Sequence, residues 1–129
     1  MNTFYWLPNC STCVKAKKFL DANSIEINEL RDIKADKLSR PEVEKLVELF
    51  GGAENLFSRR AIKYRELGLN KREVSTDEML DLMTDEYTFI KRPVLVINGT
   101  AIAGFSEKAW NAVVPTAKDH NNQASGENA

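Results

Sequence analysis

Metal ligands are scarce in this chain. Two cysteines and one histidine are its whole complement of soft ligands in 129 residues. A structural zinc site needs about four ligands, and His120 stands in a polar C-terminal stretch, so the composition argues against a metal centre. Long apolar runs are absent, which excludes a membrane-spanning helix. Excess charge is absent too. A net charge of −1 gives no general pull toward nucleic acid or an anionic membrane, and direct nucleic-acid binding is not expected. The N-terminus lacks the basic, apolar and small-residue regions of a secretion signal. A cytoplasmic protein is expected, and a stable structural disulfide would be unusual there. No internal repeat is seen. What remains is a chain 43% hydrophobic and 29% charged, long enough for one soluble domain with its own core.

The two cysteines stand together as Cys10-Ser11-Thr12-Cys13. The motif follows a short apolar run and opens a helical pattern. Two buried thiols or an inert bridge would explain it. Redox chemistry explains it better, because a Cys-x-x-Cys in a β/α setting reads as a thioredoxin-like dithiol. Exposed N–H groups and the positive end of the helix dipole favour a thiolate at a helix start. Cys10 is therefore expected to be the exposed nucleophile. Cys13, one turn further in and more buried, is expected to be the resolving thiol.

Hydrophobic periodicity orders the rest of the chain. Thr3 to Leu7 reads as a buried strand broken by Pro8-Asn9, and Ser11 to Ala22 as a helix with Cys13, Ala16 and Leu20 inward. Lys15, Lys17 and Lys18 face outward, as a solvated face or as a docking patch. Ile25 to Leu30 alternates and reads as a second strand. Ser39-x-x-Glu42 has the form of a capping box and Gly51-Gly52 a stop, enclosing a helix with Val43, Leu46, Val47 and Phe50 on one face. A short helix is expected up to about Leu67. A second capping box at Ser75-x-x-Glu78 opens a helix whose Met79 and Met83 read as core filler. Pro93 to Ile97 is a β-branched strand, Asn98-Gly99 a hairpin signal, and Thr100 to Ala103 the returning edge strand. Ser106 caps a last helix with Ala109, Trp110 and Val113 inward, stopped at Pro115. Residues 118–129 are polar and are expected to be a disordered tail.

The order is β-α-β, a helical insert, then β-β-α. The fold class is α/β, a thioredoxin-like, glutaredoxin-type mixed sheet over residues 1–117. The insert spans about 35–88, too long for an ordinary connection, and is expected to form its own helical lobe. In that arrangement a cis proline opens the third strand across from the reactive thiol, so Arg92-Pro93 is expected to be cis. Arg92 then projects toward Cys10, unless it serves only in a surface ion pair. Arg59 and Arg60 follow an apolar pair. They read as a solvated helix start from sequence alone, or as oxyanion ligands if the fold brings them to the thiol.

From Phe4 to Phe105 the chain resembles glutaredoxin-linked arsenate reductases and Spx-type redox regulators. The resemblance rests on Phe4-Tyr5-Trp6-Leu7-Pro8-Asn9-Cys10-Ser11-Thr12-Cys13, on Ser58-Arg59-Arg60-Ala61 and on Lys91-Arg92-Pro93-Val94. It implies a nucleophile at Cys10, anion-binding arginines at Arg60 and Arg92, and a substrate site extended by Pro93, Ser11 and Thr12. It further implies no bound cofactor, with glutathione as co-substrate or a glutaredoxin- or thioredoxin-type reductant as partner. A monomer is expected. Arsenate reducers of this kind carry histidine, serine and arginine where this chain has Trp6, Cys13 and Val14, and a third arginine where it reads Gly104-Phe105. The Cys-x-x-Cys resembles the Spx branch, which implies RNA polymerase α subunit as an alternative partner. Gly52 matches a loop glycine that Spx regulators use near that contact, and a helix stop explains it equally well.

Overall fold

The computed structural model describes residues 2–114. Four strands form one sheet: β1 (Thr3–Trp6), β2 (Glu29–Asp32), β3 (Val94–Ile97) and β4 (Thr100–Ala103). Their order is β2-β1-β3-β4. β1 and β2 run parallel in register from Thr3 opposite Glu29 to Trp6 opposite Asp32. β3 is antiparallel to both β1 and β4. The expected mixed sheet is therefore present, with a βαβ half and a ββα half joined at its centre. The β3–β4 turn places Asn98 and Gly99 at φ 52° and 75°, the left-handed pair that a tight hairpin demands.

Side chains alternate across the sheet and seed one core on each face. Phe4, Leu95 and Ile97 point to one face, where they meet Ala16 and Leu20 of α1 (Ser11–Ala22) and Trp110 of α5 (Glu107–Val113). Tyr5, Val94 and Val96 point to the other, onto α2 (Arg40–Phe50) and α4 (Thr76–Asp85). Residues 33–93 connect β2 to β3 and include α2, the short α3 (Ile62–Glu66) and α4. Leu7, Ile33 and Val94 belong to the same buried cluster as Val43, Leu56, Phe57, Met79 and Met83. The insert thus shares its core with the sheet and is no separate lobe. The two methionines are buried there as filler.

Local chemistry sets the helix ends. Ser39 Oγ accepts from the Glu42 N–H while Glu42 Oε1 accepts from the Ser39 N–H at 2.9 Å, a complete capping box. Gly51 closes α2 in the left-handed region, φ 74°. At α4 only half of the expected box forms. Ser75 Oγ accepts from the Glu78 N–H, but Arg72 takes both oxygens of the Glu78 carboxylate at 2.7 and 2.6 Å. A bidentate charged pair outcompetes a single bond to backbone.

Two further expectations shift. The second strand begins at Glu29, not Ile25. Ile25 and Ile27 are half-buried against the core while still in the loop, so their alternation reports burial without a ladder. Pairing begins only where the N–H groups of Asn28 and Glu29 both reach the Asn2 carbonyl. In α5, Trp110 is buried and Val113 half-buried, but Ala109 is exposed on the opposite side. Pro115 and the expected tail at 118–129 lie outside the described residues.

Arg31 ties the edge strand to α2. It donates to the Glu42 carboxylate and to the carbonyls of Asp36 and Lys37. The Arg31 hydrogen bond, with the Ser39 N–H, pulls the Glu42 carboxyl down to about 2 from 4.5. A depressed carboxyl pKa gives stability that is present above the unfolded value and lost as pH falls through the folded one. Glu42→Gln keeps the box geometry and removes the charge. With the carboxylate side chain 40% exposed, the expected cost at pH 7 is about 1 kcal/mol after solvent screening. Urea unfolding of the two proteins checks it, and the difference should close as pH falls from 4.5 to about 2.

Candidate active site

The reactive end of the molecule is built by the turn after β1. Leu7 is buried and anchors the turn, Pro8 and Asn9 are exposed, and the Cys10 N–H returns to the Leu7 carbonyl at 3.1 Å. Cys10 then becomes the N-cap residue of α1, with φ −91° and ψ 120° and its carbonyl accepting from Val14 N–H at 2.9 Å. No acidic residue occupies the first turn, so nothing competes with a thiolate for the positive end of the helix. The Cys10 side chain forms no cap hydrogen bond of regular geometry.

Both cysteines are free thiols, and their surroundings treat them oppositely. Cys10 is half-buried and Cys13 fully buried. Partial burial raises the Cys10 pKa. It is outweighed by a hydrogen bond from the Cys13 thiol, by the backbone N–H groups of Cys13 and Thr12, and by the Arg92 charge, and the net direction is below 9.0. Burial above all, with the hydrogen bond to Cys10 and the Cys10 charge, pushes the Cys13 thiol up to about 12, against a Leu7 backbone hydrogen bond and the Arg92 charge that lower it. One proton is therefore shared unequally. It stays on Cys13 and leaves Cys10 as the sulfur biased toward the thiolate.

A cavity of about 560 Å³ opens beside Cys10, and Thr12, Ser58, Arg60, Lys91 and Arg92 line it with Ile90, Ala103 and Gly104. Four of the sequence-derived site residues, Cys10, Thr12, Arg60 and Arg92, thus meet at one place. Ser11 is exposed on the first turn of α1, and Pro93 is buried behind Arg92 with the Arg92–Pro93 peptide cis. Neither is in the lining. Arg92 donates from Nη1 to the carbonyls of Ile90 at 3.1 Å and Tyr87 at 3.4 Å, and its cation lies over the Tyr87 ring at 6.0 Å. Its Nε is buried without a partner. Arg92 is therefore no surface ion pair. It is held by carbonyls, which leaves its charge uncancelled.

Composition and spacing treat Arg59 and Arg60 alike, the family resemblance singles out Arg60, and the structure separates them. Arg59 lies over the Phe57 ring at 6.0 Å, whereas Arg60 reaches the cavity with no ion pair among the described residues. Lys91 and Ser58 also line it, and sequence reasoning gave them no role. Their adjacency to Arg92 and Arg59 in the two basic motifs was the available signal. Gly104 forms the far wall, and a Cβ there would meet open space. Its carbonyl accepts from Trp110 Nε1 at 2.8 Å. Phe105, where arsenate reducers would place an arginine, packs on Trp110 and Phe19 with centroids 5.0 and 5.6 Å away. It supplies no cation. Among the described residues no group of three or more His, Cys, Asp or Glu is placed to hold a metal ion. No helix among them is long and apolar enough to cross a membrane.

The ranking of influences on Cys10 is testable. Iodoacetamide alkylation followed against pH should show an inflection below 9.0. Cys13→Ala, which removes the strongest stabilising hydrogen bond, should raise that inflection more than Arg92→Ala. If Arg92→Ala moves it further, charge rather than hydrogen bonding sets the thiolate.

Residues 5–113 match the model of the ArsC family. The uncharacterized protein YusI of Bacillus subtilis is 39% identical over 108 residues, which cover 81% of this chain and 91% of that protein. The global transcriptional regulator Spx 2 of Lactococcus lactis is 28% identical over 116 residues, 89% of this chain and 87% of the regulator. Among solved structures, the YffB (PA3664) protein superposes with a TM-score of 0.78 at 25% identity, covering 88% of this chain and 99% of the other. The family model spans most of the chain, and the chain belongs to the ArsC family.

Proposed function

We propose that this protein is an arsenate-reductase-like thiol oxidoreductase in which Cys10 is the nucleophile and Cys13 resolves the product. The observation that carries the reading is the opposed bias on two sulfurs one turn apart, one held toward the thiolate and the other pushed up to about 12. The Cys10 thiolate attacks the oxidised substrate and forms a covalent adduct. Arg60 and Arg92 hold the negative charge that develops there, with Thr12 and Ser11 at the helix start and Pro93 fixing the strand that carries Arg92. Cys13 then attacks the Cys10 sulfur, closes the disulfide and expels the two-electron-reduced product. Adduct formation lowers the barrier to its own resolution. Once Cys10 is no longer an anion, its charge no longer adds to the burial that keeps Cys13 protonated. Glutathione is the alternative resolving thiol and the co-substrate. A glutaredoxin- or thioredoxin-type protein, or glutathione, resets the disulfide. No cofactor is bound. The setting is a monomer in the cytoplasm.

Turnover of arsenate and of small disulfides with a complete supply of reductant tests the reading. Cys10→Ser should abolish it, and Arg92→Ala or Arg60→Ala should lower kcat by about a hundredfold. Absence of turnover with every substrate would overturn the enzyme.

A relative named as a transcriptional regulator favours a second reading, a redox switch of the Spx type that binds RNA polymerase through its α subunit. Closing the Cys10–Cys13 bond would remove the thiolate beside Arg92 and change what that face presents. Gly52 lends this no support of its own, since φ 157° already favours glycine there. Affinity for purified α subunit should then differ between dithiol and disulfide forms by about tenfold. Equal or undetectable binding in both states removes the switch.

A further inference from the structure

The two arginines of the cavity beside Cys10, Arg60 and Arg92, also border a second chamber of about 390 Å³. Its own walls include Ala61, Ile62 and Thr88. The charged groups there largely cancel. Lys63 Nζ pairs with Glu86 at 3.1 Å, and Thr88 Oγ1 donates to the same Glu86 carboxylate at 2.7 Å. Beyond the two arginines, Glu66 is the remaining charged group in the lining. Ile62 is 78% exposed, a large aliphatic side chain left in water at the mouth of this chamber. Each chamber alone falls in the size range of sites for small organic molecules. An inorganic tetrahedral oxyanion would leave most of the first empty and the second untouched.

We propose that the substrate is an organic disulfide of a carboxylate-bearing thiol with an apolar body, seated across both chambers. This deepens the dithiol reading above and rests on it. The disulfide sulfur lies at Cys10 in the first chamber. The carboxylate is received by the guanidinium groups of Arg60 and Arg92, which border both chambers. The apolar body passes into the second chamber against Ile62 and Ala61. Cys10 S⁻ attacks one sulfur of R–S–S–R′, forming Cys10–S–S–R and releasing R′–S⁻. Cys13 then attacks the Cys10 sulfur, forming the Cys10–Cys13 bond. The departing R–S⁻ takes the proton that Cys13 carried. Two electrons pass from the dithiol to the disulfide, and one thiolate and one thiol leave. Arg60 and Arg92 therefore act on the body of the substrate as well as on its reacting end, which makes the second chamber a specificity element.

The test uses two dianionic disulfides of different size in single turnover with the reduced full chain. Dithiobis(2-nitrobenzoate) carries an aromatic body that reaches the second chamber. Dithiodiglycolate has none. Each rate is divided by the iodoacetamide rate of the same variant, which corrects for any change in the thiolate. Ile62→Glu should lower the corrected rate with the aromatic disulfide about tenfold more than with dithiodiglycolate. Ile62→Val should preserve the wild-type ratio, which controls for folding. An equal loss with both disulfides, or no loss with either, overturns the two-chamber assignment. The dithiol reading has its own failure: mass spectrometry of the reacted wild-type protein showing no Cys10–Cys13 bond with either disulfide.

Discussion

A single negative charge shared between two sulfurs organises this protein. Either thiol could ionise in water. Here the first turn of α1 supplies N–H groups to Cys10, while the core of the sheet closes over Cys13. The hydrogen bond between them stabilises the thiolate on one sulfur and the thiol on the other, so each partner reinforces the asymmetry. That asymmetry requires β1 to end at a fixed depth. Leu7 must be buried, and the chain must turn back at Pro8-Asn9 so that Cys10, and no later residue, caps the helix. Shifting the cap by one residue would carry both sulfurs about a hundred degrees around the helix axis and put the resolving thiol in solvent.

Cations reach this charge from the far half of the chain, and the sheet is what brings them. β3 pairs with β1, so the residues just before β3 arrive beside the residues just after β1. Arg92 is one of them. Arg60 comes by another route. The Ser58 N–H reaches the Phe89 carbonyl at 2.7 Å, and the Lys91 N–H reaches the Leu56 carbonyl at 2.9 Å. An isolated bridge between Phe57 and Ile90 thus stitches the two basic motifs side by side. Phe57 and Phe89 stack at 5.4 Å beneath that bridge. The insert's contribution to chemistry depends on this short antiparallel pairing. It explains why the insert must share a core with the sheet, since a lobe free to move would not hold Arg60 at the cavity.

What sequence made legible follows from how local each signal is. The capping residues Ser39 and Ser75, the left-handed Asn98-Gly99 pair and the Cys-x-x-Cys at a helix start depend on neighbours within four positions, and each is found in its place. β2 was misplaced because an edge strand need not be apolar. Glu29, Arg31 and Asp32 carry it, and its one large apolar residue, Leu30, is half exposed. The strand-helix-strand order pointed to the parallel pairing with β1 that is found, but where that pairing begins was invisible to periodicity. Periodicity could not divide Arg59 from Arg60 either, and only the family resemblance singled out Arg60. Adjacent residues in an irregular turn diverge according to which ring or cavity lies nearby, and that depends on Phe57 and on a strand more than thirty residues away.

The residues around the thiol also bear on which chemistry the site suits. A compact oxyanion is best held by a closed ring of cations. Here the ring is open, because Phe105 turns into the aromatic cluster with Phe19 and Trp110 and Gly104 leaves space in front of β4. The Trp110 Nε1 bond to the Gly104 carbonyl fixes that wall from the opposite face of the sheet, so the opening is a property of the packed core rather than of a loose loop. A buried second thiol complements this opening. Under the proposed reading, Cys13 one turn behind Cys10 would spare an external thiol from entering to release the product, leaving the space beside Cys10 to the substrate. The arginines suit any anionic group; the open wall and the second thiol are what favour an organic sulfur substrate over a small inorganic anion.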